Sequence, residues 1–92
     1  MSGSKAKFKR LMPVVRDMWN DFDPIGLGKN NLALDGEYDS YIPQTIRLML
    51  EGADRFRLEK HIQNCVWIDM GMAGQLKEEI SEFAERLTKV RV

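Results

Sequence analysis

The chain has 92 residues, 43% apolar and 30% charged, with 14 acidic and 14 basic side chains and one histidine. That length holds one domain with a modest core, and that composition is globular rather than disordered. A single cysteine, Cys65, excludes an internal disulfide and a multi-cysteine zinc site, and no apolar run approaches the roughly 20 residues that span a bilayer.

The opening MSGSKAKFKR is polar and basic, without the apolar core of a signal peptide, so a cytoplasmic protein with no membrane partner is expected. Residues 1–6 are expected to form a flexible tail. Charge is unevenly placed. Lys5, Lys7, Lys9, Arg10 and Arg16 meet no acid in residues 1–16. Asp17, Asp21, Asp23, Asp35, Glu37 and Asp39 meet only Lys29 in residues 17–39. The basic head is short and poor in aromatics, which argues against a nucleic-acid partner.

In chain order, Phe8, Leu11, Val15, Met18 and Phe22 recur at helical spacing, with Met12 and Trp19 beside them. A first helix is predicted from about residue 6 to about Asp21, either starting at or kinking around Pro13, which lacks the interior N–H. A long connection over residues 23–37 follows. The second helix lies in DSYIPQTIRLMLEG, with Asp39 or Ser40 as cap, Pro43 in the first turn and Gly52 as stop. Asp54 caps a predicted third helix to about Met70, its stripe starting at Phe56 or Leu58 and continuing through Ile62, Cys65 and Val66. In the fourth, Leu76, Ile80, Phe83, Ala84, Leu87 and Val90 line one face, and Glu82 is placed to meet Arg86. The whole is an all-α fold, a compact bundle of about four helices in a single domain.

No stretch carries a catalytic constellation. His61 and Cys65 share a helix face, but the thiol lies on the apolar stripe, so a buried thiol beside an interfacial histidine is expected rather than a nucleophile and base. GLGKNN lacks a preceding strand and the phosphate-loop spacing, and adjoins acids that repel phosphate. The acids do not match the calcium-loop pattern, and no cofactor or metal is expected. Asp23 before Pro24 reads as a turn or helix-ending residue. Trp19, Phe22, Tyr38 and Tyr41 bracket the acidic connection, and tyrosines beside acids suit a recognition surface as well as loop packing.

The blocks Asp23-Pro24-Ile25-Gly26 and Glu37-Tyr38-Asp39-Ser40-Tyr41 together resemble the signature of a family of small bacterial helical proteins of unknown function, with a tryptophan or phenylalanine before D-P-I-G and E-Y-D-x-Y following. The resemblance covers about residues 15 to 72. The chain departs from it at Phe22, where tryptophan is usual, at Gly36, where an acid is usual, and in a longer insert. The resemblance implies a compact helical domain of bacterial cytoplasmic origin and no activity, and the settings of some members suggest immunity or accessory proteins. The expectation is therefore a non-enzymatic protein-interaction module. Asp21, Asp23, Glu37, Tyr38, Asp39 and Tyr41 would meet a basic protein partner, and Pro24, Ile25 and Gly26 would form a structural motif. A carboxylate-based divalent-cation site is the alternative, and homodimerisation through Met- and Leu-rich helix faces is a third.

Overall fold

The computed structural model describes residues 2–26, 36 and 38–92. Among these the chain forms four helices: α1 over Ser2–Phe22, α2 over Ile42–Leu50, α3 over Arg55–Gln63 and α4 over Lys77–Thr88. A 3₁₀ turn, Asp39–Tyr41, leads into α2, and α3 runs on as a π-helical turn, Asn64–Asp69. The all-α bundle holds as expected. None of the described helices is long and apolar enough to cross a membrane.

Helix α1 begins four residues earlier than its apolar pattern predicts, so residues expected as a tail are helical, and Pro13 lies inside it. Its buried line is Leu11, Val15 and Trp19, one residue per turn, with Phe8, Met12, Met18 and Phe22 half-buried alongside. Pro13 faces solvent, so its ring displaces no core side chain. The helix ends at Asp23, which adopts a left-handed conformation (φ 43°), and the following proline disfavours a further helical residue there.

Helix α2 buries Ile42, Thr45, Ile46, Leu48 and Met49, with Pro43 in its first turn. It stops in a paired C-terminal motif. Gly52, at φ +77°, donates to the Met49 carbonyl (3.1 Å), and Ala53 donates to that of Leu48 (3.0 Å). Asp54 then caps α3, its carboxylate accepting the Arg57 N–H at 2.9 Å.

Leu58, Ile62, Cys65 and Val66 form the buried side of α3, whereas Phe56 is 69% exposed. In the π turn the Met70 N–H reaches the Cys65 carbonyl, five residues back, at 3.0 Å. Helix α4 buries Ile80, Phe83, Ala84 and Leu87. Leu76, expected at the head of its stripe, is half-buried and precedes the helix in a left-handed conformation (φ 60°). Helices α3 and α4 pack together, α1 packs on α2 and touches α4, and α2 contacts α3. Burying these four apolar faces in one cluster supplies the main stabilising term.

Candidate functional site

The end of α1 and the start of α2 form one corner, and Trp19 is its floor. The indole is fully buried, with Tyr38 stacked on it at 5.8 Å between centroids, Tyr41 at 5.5 Å and Phe83 edge-on at 5.1 Å. Phe22 completes the cluster, 4.6 Å from Phe83. Offset and edge-on ring pairs contribute roughly 0.5–1.5 kcal/mol each beyond their buried area.

Tyr38 ties the two signature blocks together. Its hydroxyl donates to Asp23 Oδ1 at 2.7 Å and accepts the Ile25 N–H at 3.1 Å. The turn between is closed by the Gly26 N–H on the Asp23 carbonyl (3.0 Å), with Pro24 buried beneath it. Left-handed Asp23 thereby aims its carboxylate at the phenol, and Ile25 is left 42% exposed at the rim. Tyr38 itself is only 1% exposed. It was expected on a recognition surface and is instead part of the core, because the stacked indole and the Asp23 carboxylate satisfy both its ring and its hydroxyl. Tyr41 is half-buried by the same indole.

The flanking acids have arginine partners. Asp39 is held by the Arg16 fork, Nε to Oδ1 at 3.0 Å and Nη2 to Oδ2 at 2.7 Å. That pairing replaces the expected cap, and the Asp39 side chain makes no hydrogen bond to the first turn of α2. Ser40 makes none either, since the N-cap of the 3₁₀ turn is Tyr38 and that of α2 is Tyr41. Asp21 accepts from Arg86 of α4 at 3.4 Å, so Arg86 reaches across to α1 where the spacing had matched it with Glu82. Both pairs are substantially exposed, and each contributes on the order of 0–1 kcal/mol. Glu37, Asp35, Lys29 and the glycine-containing middle of the connection lie outside the described residues. Among the described residues no three metal-ligating side chains gather, and Asp21, Asp23 and Asp39 each face a different partner.

Behind the aromatic floor runs a buried polar relay. Thr45 Oγ1 accepts from Trp19 Nε1 at 3.1 Å, donates to the Tyr41 carbonyl at 2.8 Å and lies 2.7 Å from His61 Nε2. An indole N–H only donates, and the one hydroxyl proton goes to Tyr41, so His61 Nε2 carries the proton that fills the last lone pair. His61 Nδ1 then faces the Cys65 thiol at 3.9 Å. Burial lowers the His61 pKa from its usual value and, with Asp69 adding to it, pushes the Cys65 thiol up to about 12. A thiol so raised stays protonated even though the Nδ1 lone pair faces it. Sequence reasoning placed the thiol and histidine on one face but missed Thr45, whose signal is a lone hydroxyl on the apolar stripe of α2.

No protein-family model, curated protein or solved structure matches this chain.

Proposed function

We propose that the chain is a non-enzymatic helical interaction module, of the immunity or accessory type, whose acidic corner binds a basic protein partner. The observation that carries the reading is the Tyr38 bridge, which pins the Asp23–Gly26 turn from both sides and holds Ile25 outward at the rim. Preformed turns bind with little ordering cost, and an apolar tip among acids combines an anchor with charge complementarity. Asp21 and Asp39 flank the two blocks that Tyr38 ties together, and the exposed geometry of their arginine pairs lets a basic partner compete for the carboxylates.

The test compares wild type with Ile25→Lys and Asp21→Lys in affinity capture from bacterial lysate, with circular dichroism confirming equal melting. A basic protein retained by wild type and lost by both variants supports the reading. Identical captures by all three would sink it.

A further inference from the structure

The molecule's other end is built from the first half of α1 and the segment after α4. The Arg10 guanidinium donates to the backbone carbonyls of Arg91 (3.4 Å) and Val92 (3.2 Å). Val90 and Val92 thereby wall a half-enclosed recess of about 190 Å³, floored by Met49, Ala53, Leu58 and Leu87. An apolar void of roughly 150 Å³ holds a benzene-sized group, so this recess has room for one leucine or phenylalanine side chain.

The surroundings are strongly positive. Lys89 and Arg91 are exposed and adjoin the lining residues Val90 and Val92 in sequence, exposed Arg10 is bonded to the same segment, and Lys5, Lys7 and Lys9 add exposed charge along α1. Neither residues 1–16 nor residues 86–92 contain an acid. Acids next to the lining residues are Glu51, paired with Arg57 at 3.2 Å, and Asp54, which caps α3, with Glu85 exposed nearby on α4. At the acidic corner the arginines pair with the acids, whereas Arg10, Lys89 and Arg91 make no ion pair with any acid among the described residues.

We infer that this recess takes one large apolar side chain from an acidic peptide segment, whose flanking carboxylates meet Arg10, Lys89 and Arg91. The buried side chain supplies the anchor, and the charges supply steering and register. The surface shares no residue with the acidic corner, so either proposal can fail without the other.

The probe is the peptide acetyl-Glu-Glu-Leu-Glu-Glu-amide, titrated into ¹⁵N-labelled protein and followed by NMR. Saturable shifts centred on the amides of Gly52, Ala53, Leu87 and Val90 are expected. Affinity should fall at least tenfold in Lys89→Glu/Arg91→Glu and on replacing the peptide's leucine by serine. Val90→Phe, which fills the recess and leaves the rim intact, should abolish the local shifts with melting unchanged. Four outcomes would each overturn the inference: no shifts at millimolar peptide, equal binding of the lysine counterpart, equal binding of the serine peptide, or self-association through the recess that the peptide does not displace.

Discussion

Tyr38 and Thr45 each satisfy several partners with one oxygen, so their removal costs more than one average hydrogen bond. Tyr38→Phe leaves the Asp23 carboxylate and the Ile25 N–H without the hydroxyl they share. A hydrogen bond to a charged group contributes about 1.5–3 kcal/mol, and urea unfolding should show a loss of about 2 kcal/mol. Thr45→Val keeps the shape but orphans two donors, the buried Trp19 Nε1 and the part-buried His61 Nε2, for an expected loss of about 3 kcal/mol. The same relay fixes a pH response. Burial lowers the His61 pKa in the folded chain, so the unfolded chain takes up a proton first as pH falls. The stability this group contributes is complete above its ordinary value near 6.5 and is lost below it, through the lower folded pKa. Urea midpoints at pH 8 and pH 5 should therefore differ, and His61→Gln should shrink the difference; an undiminished difference would place its cause elsewhere. Cys65, with its pKa raised to about 12, should resist iodoacetamide at pH 8 until the chain is unfolded.

The elements were legible where the apolar period is regular and hidden where it is not. Leu11, Val15, Ile46, Ile62, Ile80 and Phe83 follow from spacing alone. Phe56 against Leu58 was ambiguous in the stripe, yet the phase set by Leu58, Ile62 and Val66 puts Phe56 on the opposite face, toward solvent. The π turn leaves no such trace, because one extra residue per turn is a choice of backbone pairing rather than of side-chain type. Pro13 left the start of α1 open between Pro13 and about residue 6, since propensity counts the lost Lys9–residue 13 hydrogen bond but not the packing of Phe8 and Leu11 that offsets it. An interior proline costs a helix about 3 kcal/mol. Pro13→Ala, at an exposed position, should raise stability by about 1–3 kcal/mol in denaturant unfolding.

Across the whole molecule, the segregation of charge along the chain does not survive folding unchanged. The acids of residues 17–39 look like an uncompensated cluster in sequence because the partner of Asp21 is Arg86, 65 positions away, and that of Asp39 is Arg16, 23 positions away. Pair contacts at such separations carry no local signature, so the polar half of the candidate site could not be read in advance. Asp23 and Pro24 could, since a pre-proline aspartate at a helix end has a local cause. With Asp21 and Asp39 on arginines and Asp23 on a tyrosine, millimolar calcium, magnesium or manganese should leave the melting midpoint unchanged; a rise would show binding by the folded chain alone.

The position of Trp19 also makes the molecule its own optical gauge. One indole touches rings from α1, the 3₁₀ turn and α4 and is hydrogen-bonded to α2, so its emission samples three of the four helices together. The other indole, Trp67, is half-buried and tied only to the Gln75 carbonyl nearby. A Trp67→Phe chain would leave a single fluorophore shielded from acrylamide. Loosening of the acidic corner could then be timed separately from the loss of total helix, which circular dichroism would follow in the same sample.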